Sequence, residues 1–362
     1  MRITRVACRL VSVPDDDVLA PETTRRPKTW PVVTLRVGTD QGVDGLGVAF
    51  TLGGLNAAVL AALEELAALL IGEDPRRIEA VLLKLRGAAS TGGLGGVFLL
   101  AQGAIDMALW DIRGKMAGLP LWRLAGGARQ TAIAYASGMI GRDLTDRQAA
   151  TAAEHAVAQG FGWVKMHLGL RDGGGPRREM ERARLVRQVV GPDVRLGCDI
   201  NEGWQVGEAI DMGRRLEDIG FAWIEDPVQH DDYRGMALVT AALSAPVMAG
   251  ENNAGITPFR LMLAEASVDL LMIDVMLVGG ITAWLKIAAM AEAYNVPVVS
   301  HLLPEIQAHL IAGVPNGLLA EAKSWIWQLF EDVPALRDGA IQLGELPGLG
   351  LRFNPRRVDD GW

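Results

Sequence analysis

From residue 131 onward, short apolar β-type runs alternate with helical stretches, and this alternation constrains the fold more than any other feature of the chain. The runs are "AIAYAS" at 132–137, "FGWVKMH" at 161–167, "VRLGCDI" at 194–200 and "FAWIED" at 221–226. They continue with "APVMAGE" at 245–251, "DLLMIDV" at 269–275, "VPVVSH" at 296–301 and "GLLAEA" at 317–322. Seven helix candidates lie between these eight runs; "GITAWLKIAAMAEAYN" at 280–295, with Pro297 after it, is one. Continuous apolar strands belong to parallel sheets covered by helices. Eight of them in sequence predict an α/β fold, a (β/α)7β TIM-like barrel without a regular last helix. A doubly wound open sheet is the structural alternative.

The chain ahead of the barrel reads differently. "VVTLRVGTDQGVDGLGVAF" at 32–50 carries two β-rich runs joined by a Gly-containing turn, a hairpin signal. Residues 55–125 read as helices punctuated by Gly and Pro. The expected organisation is an α+β capping domain at 1–125 and a barrel at 126–339. The tail 340–362 matches neither pattern and is expected to return to the first domain. A chain of 362 residues, half of them hydrophobic, can bury the cores of both.

Several function classes are excluded by composition. A net charge of −8 with no basic stripe argues against a nucleic-acid partner. Cys8 and Cys198 are the only cysteines, too few for a disulfide framework, and a reducing cytoplasm fits. The start, "MRITRVACRLVSVPDDD", has no apolar h-region. The greasiest run, 55–72, carries Glu64 and Glu65, which mid-membrane burial would penalise. The expected protein is soluble and cytoplasmic, with no membrane partner.

The runs end in titratable residues at a regular interval. Asp199, Glu225 and Glu251 are 26 and 26 residues apart, about one βα unit. Three acids at one end of three consecutive parallel strands converge at the barrel mouth, where their repulsion calls for a counter-ion. Oxygen ligands with no Cys or His among them fit Mg²⁺, with Mn²⁺ as second choice. The series goes on through Asp274, His301 and Glu321. Lys165 and His167 end the strand before Asp199, and residues two apart on a strand face the same way. A lone histidine at a strand end is usually a core residue. Here Asp274 on the adjacent strand can hold one ring nitrogen of His301 as N–H and leave the other free as acid or base. Two proton-transfer groups then face each other across a metal. That geometry suits removal of the weakly acidic α-proton of a carboxylate, with a protonated Glu321 donating to the enediolate.

These residues resemble the enolase superfamily, and within it the mandelate racemase subgroup. The match rests on "VKMH", "CDINEGW", "WIEDPVQHDDYRG", "MAGEN", "DVMLVGGIT", "SHLLPEIQAHL" and Glu321, and it covers nearly the whole chain. The superfamily pairs a Lys or His base with Mg²⁺ and an enediolate. The resemblance implies a cap over a (β/α)7β barrel and Mg²⁺ on Asp199, Glu225 and Glu251. It also implies an Asp274–His301 dyad as one acid/base and Glu321 as donor to the substrate carboxylate. Ser137 and Asn201 resemble substrate contacts of the family, and a homo-oligomer is implied as well.

One position departs from the family pattern. The usual Lys-x-Lys is Lys165-Met166-His167 here. The second lysine normally serves as the base opposite the dyad, and histidine titrates about four pH units lower. Either Lys165 is the base and His167 a polar contact, or His167 is the base. In this family the loop near 15–30 covers the distal end of the substrate. Here it brings Arg25, Arg26 and Lys28, with Lys323 nearby, while Phe50, Leu52 and Leu302 keep part of the wall apolar. A polyhydroxy acid or diacid suits such a lid better than an arene does. The reading is dehydration of an acid sugar to a 2-keto-3-deoxy acid. Its alternatives are racemisation or epimerisation of a 2-hydroxy acid and cycloisomerisation of a sugar lactone. A metal-dependent hydrolase or a non-catalytic barrel are the readings from other classes.

Overall fold

The computed structural model describes residues 1–14, 17–24, 29–169 and 175–358. The chain opens with β1 (Ile3–Pro14), β2 (Thr29–Thr39) and β3 (Asp44–Ala49), an antiparallel sheet in that order. Helices α1 (Asn56–Ala68), α2 (Ile78–Ala88), α3 (Gly96–Ala117) and α4 (Leu121–Leu124) follow. The greasy run at 55–72 is thus a cap helix and its exit turn. Among the described residues no helix is long and apolar enough to cross a membrane.

The barrel runs β4 (Thr131–Ile140), α5 (Asp146–Ala158), β5 (Trp163–His167), α6 (Gly175–Val190), β6 (Arg195–Asp199), α7 (Val206–Glu217), β7 (Phe221–Glu225) and α8 (Tyr233–Ala242). It goes on through β8 (Val247–Ala249), α9 (Thr257–Ala264), β9 (Leu270–Ile273), α10 (Ile281–Ala293), β10 (Val298–Ser300), α11 (Pro304–Gly313) and β11 (Gly317–Ala322). The eight strands are parallel neighbours in chain order, and β11 pairs with β4, which closes the cylinder. An open doubly wound sheet has no such closing pair. Inside, Tyr135, Trp223, Met248, Met272, Val299 and Leu319 fill the cylinder. Tyr135 meets Trp223 edge-on, at 5.9 Å between centroids. The Trp223 ring lies flat over Gly197, where an added Cβ would fall 2.1 Å from it.

The cap is tied to the barrel at α3, which is buried on nearly all sides between the cap sheet and α10. Asp106 of α3 accepts from the backbone N–H and the hydroxyl of Thr282 at the start of α10, at 2.8 and 2.6 Å. Gln102 donates to the Gly279 carbonyl at 3.0 Å. The tail begins with β12 (Ala335–Arg337) and β13 (Ala340–Gln342), and β13 pairs antiparallel with the start of β4. Residues 340–342 therefore extend the barrel sheet, although their sequence resembles no barrel strand. Farther along, Leu349 donates its N–H to Asp111 of α3 at 2.9 Å, and the Gly348 carbonyl accepts from Leu121 at 2.8 Å.

Candidate active site

Strand register sets the floor of the site. His167 of β5, Asp199 of β6 and Glu225 of β7 are in register across neighbouring parallel strands. Their side chains therefore emerge at one level at the C-terminal mouth of the barrel. Glu321 lies within β11, whereas Glu251, Asp274 and His301 sit in the turns just beyond β8, β9 and β10. The local cause is visible at Asp274, whose Oδ1 accepts the backbone N–H of Met276 and Leu277 at 2.7 and 3.0 Å. This Asx-type turn ends the strand before the acid. At His301, Gln307 of α11 donates to the carbonyls of His301 and Leu302 and in turn accepts from Trp284. Asn201, Glu202, Asp226, Leu302 and Leu303 all have positive φ, so backbone strain is concentrated in these mouth turns.

Asp199, Glu225 and Glu251 are buried, and each offers an oxygen within 4.8 Å of the others'. Lys165, 2 % exposed, reaches into this cluster: its Nζ is 3.3 Å from Asp199 Oδ2 and 3.4 Å from Glu321 Oε1, and it bonds Glu225. Burial opposes the ammonium charge, but Glu225, Asp199 and Glu321 raise the lysine well above its ordinary value. Burial likewise pushes Glu225 up, aided by the charges of Asp199 and Glu251. Asp199 stays well below the usual carboxylate range. Burial acts to raise it, but Lys165, His167 and the Asn201 N–H outweigh burial. The donor set is all oxygen, buried, and more anionic than Lys165 can offset. That fits a hard divalent cation such as Mg²⁺.

His301 pairs through Nδ1 with Asp274 Oδ2 at 2.8 Å, and its Nε2 lies 3.3 Å from Glu251 Oε2. Burial lowers its pKa, but Glu251 and Asp274 together lift it to about 9. His167 sits three strands away round the barrel, with Nε2 3.4 Å from Asp199 Oδ2. Burial holds it below the ordinary histidine value. Its Nδ1 is buried and has no hydrogen-bond partner among the described residues. Glu321 accepts from Ser137 Oγ and from the Leu302 N–H, both at 2.6 Å. Burial opposes its charge, but Lys165, Lys323 and His301 keep it ionised.

A cavity of about 360 Å³ opens over these groups. Lys165, His167, Asp199, Glu251, His301, Glu321, Asn201 and Lys323 all line it. Leu52 reaches it from the cap. Phe50 and Leu302, expected on the apolar wall, are buried and do not line this cavity. Leu302 acts through its backbone N–H on Glu321. Arg25, Arg26 and Lys28 lie outside the described residues.

The comparisons with known proteins agree with this geometry. Residues 148–357 match the family described as enolase C-terminal domain-like, and residues 12–126 match the mandelate racemase / muconate lactonizing enzyme N-terminal domain. The chain belongs to the mandelate racemase/muconate lactonizing enzyme family, and it is an enolase-superfamily enzyme. It is 31% identical to a 3,6-anhydro-alpha-L-galactonate cycloisomerase of Streptomyces coelicolor over 98% of each chain. It is also 31% identical to the L-talarate/galactarate dehydratase of Salmonella typhimurium, over 89% of this chain and 80% of that one. The crystal structure of an L-talarate dehydratase from a Polaromonas species, complexed with Mg and L-glucarate, superposes with a TM-score of 0.88. That structure is 30% identical and covers 98% of this chain and 96% of its own.

For this member of the racemase/lactonizing family, the sequence reading passed over five wall residues, Gly138, Gly141, Arg142, Asp143 and Trp325. Arg142 donates to the Leu168 carbonyl at 3.0 Å and to Asn201 Oδ1 at 2.7 Å. Gly138 and Trp325 also line the cavity. Trp325 was within reach, since it stands four residues past Glu321 at the same strand end. Arg142 carried no local signal, because only the fold of the loop after β4 brings it over β6.

Proposed function

We propose that this enzyme removes the α-proton of a sugar-derived carboxylate and eliminates the β-hydroxyl, giving a 2-keto-3-deoxy acid. The observation that carries the reading is the pair of unlike histidines across the mouth. His301 is pinned through Nδ1 by Asp274, whereas the buried Nδ1 of His167 has no hydrogen-bond partner among the described residues, and the two flank one acidic cluster. Mg²⁺ held by Asp199, Glu225 and Glu251 would polarise the substrate carboxylate and offset the carboxylates that keep Lys165 charged.

The chain's own groups divide the remaining work. Lys165 lies between the acidic triad and Glu321, where a substrate carboxylate enters, and neutralises it. His167 takes the α-proton, which leaves an enediolate. Glu321 is ionised in the free site. A substrate carboxylate beside it raises its affinity for a proton, and Glu321 takes one up from solvent as the substrate binds, which it then donates as a hydrogen bond to the enediolate. His301 gives its proton to the departing β-hydroxyl, the Cβ–O bond breaks, water leaves, and the enol tautomerises to the ketone.

Cycloisomerisation of a sugar lactone is the second reading, favoured by the cycloisomerase relative that spans nearly the full length of both chains. It uses the same proton removal with a ring oxygen as leaving group. A cytoplasmic homo-oligomer, read by sedimentation, belongs to the same proposal. The test is a panel of acid sugars and sugar lactones with Mg²⁺ in D₂O. It is read by semicarbazide for keto acids, by polarimetry for epimers, and by NMR for deuterium at Cα. His167→Asn is expected to abolish Cα exchange on its face. Lys165→Met is expected chiefly to weaken carboxylate binding. Full exchange in His167→Asn together with none in Lys165→Met reverses the two roles, and no exchange with any panel member ends the proposal.

A further inference from the structure

We propose that Lys323 receives a second carboxylate at the far end of the substrate, so that this enzyme acts on sugar diacids in preference to monoacids. The inference rests on the reaction proposed above and narrows its substrate class. Lys323 is the first residue beyond β11, two after Glu321, and both side chains line the cavity. Two residues of strand rise span about 6–7 Å, which is the reach of a short sugar chain. Glu321 is buried beside Lys165, where a carboxylate would react, whereas Lys323 is half-buried on the same cavity.

The ammonium group is held in place and, among the described residues, has no direct ion-pair partner, although its charge helps keep Glu321 ionised. Its Nζ lies 3.8 Å from the centroid of the Trp325 ring, and Trp30 stacks on that ring at 4.6 Å, with 16° between planes. The lysine stem crosses Gly138, whose φ is +76° and where an added Cβ would fall 2.7 Å from Lys323 Cε. A side chain at 138 would close the channel in which the stem runs. Between Lys323 and Trp325, Ser324 donates to Asp17 of the cap at 2.5 Å, which fixes this segment from the other side. The aromatic face attracts the cation but accepts no ordinary hydrogen bond from it. An ammonium group carries three donors. Among the described residues, no carboxylate forms an ion pair with Lys323 and no acceptor takes its hydrogen bonds, while Lys84, Lys115, Lys165 and Lys286 all have carboxylate partners. A half-buried, prepositioned cation whose donors face the substrate cavity is suited to a carboxylate.

The test compares each six-carbon aldarate with the aldonate of the same configuration, galactarate and galactonate being the first pair, with Mg²⁺ present. The readouts are kcat, KM and deuterium exchange at Cα for wild type, Lys323→Met, Lys323→Arg and Trp325→Leu. One charge-assisted contact predicts a diacid preference of about 10- to 100-fold in kcat/KM. Lys323→Met should collapse that ratio, mainly through KM for the diacid, and Lys323→Arg should restore most of it. Trp325→Leu, which removes the ring that holds the ammonium group, should raise KM for the diacid more than KM for the aldonate. If Lys323→Met does not fold by circular dichroism, Lys323→Gln reads the same ratio. Equal kcat/KM for the two classes in wild type overturns this inference alone. So does a Lys323→Met variant that loses kcat equally for both, since the lysine would then serve the chemistry. Absence of exchange with every member of both classes overturns the reaction and the inference together.

Discussion

Asp274→Asn isolates what the dyad contributes. Asp274 makes three hydrogen bonds in two directions. Oδ1 accepts from Met276 and Leu277, and Oδ2 accepts from His301 Nδ1. Asparagine keeps an oxygen for the two backbone donors, so the turn after β9 should survive and the fold with it. Towards His301 it presents an amide N–H instead, which requires an unprotonated Nδ1 and so places the ring proton on Nε2. The imidazole would then lose one of its two carboxylate partners and the tautomer the reaction uses. The gap between 6.5 and about 9 for His301 corresponds to about 3 kcal/mol of proton stabilisation, shared between Glu251 and Asp274. Loss of an acid/base group costs about 10²–10⁴ in rate, and a wrong tautomer lies at the severe end. The expected result is a kcat reduced by at least about a hundredfold, a cooperative melting transition lowered only by Asp274's share of that ~3 kcal/mol, and a His301 titration moved down from about 9. The assay combines turnover of the best panel substrate with histidine NMR titration of the metal-free enzyme. A variant that keeps more than half of wild-type kcat, or whose His301 titrates as in wild type, refutes the dyad.

Two further outcomes follow from the same cluster. Glu225→Gln removes one of three anionic ligand candidates at nearly constant shape, so calorimetric Mg²⁺ affinity should fall at least about tenfold while circular dichroism is preserved; wild-type affinity would count against the triad as the metal site. In the metal-free protein, folding raises His301 above its ordinary 6.5, so the stabilisation it contributes is complete below pH 6.5 and is lost as pH climbs through about 9. Urea unfolding of wild type and His301→Asn at pH 6, 8 and 10 should show their difference in stability shrinking by up to about 3 kcal/mol. A difference independent of pH would mean that His301 is not charged in the folded state.

The sequence by itself determined the barrel and the chemical character of its mouth. Alternation of apolar runs with helical stretches is a local property, and it yields eight parallel strands because each run must be covered on both sides. The repeat length carries Asp199, Glu225 and Glu251 to one end for the same reason: every βα unit returns the chain to the same level. Local pattern also separated the hairpin and helices of the cap from the barrel. What the sequence left open was set by contacts between residues far apart in the chain. Whether Lys165 or His167 carries charge depends on which carboxylates surround each, and Lys165 alone meets Asp199, Glu225 and Glu321. Phe50 and Leu302 are apolar in sequence whether they line a pocket or lie buried, and only packing placed them in the interior. The tail strand β13 shows no strand signal, because its partner β4 stands two hundred residues earlier and supplies the hydrogen bonds that make it a strand. Lys323 was visible as a cation, but the Trp325 ring beside it, the Trp30 stacked on that ring and the open channel over Gly138 exist only once cap and barrel have met. Strand periodicity is encoded along the chain, whereas the charge state and partners of a buried side chain depend on neighbours that only the closed fold brings within a few ångströms.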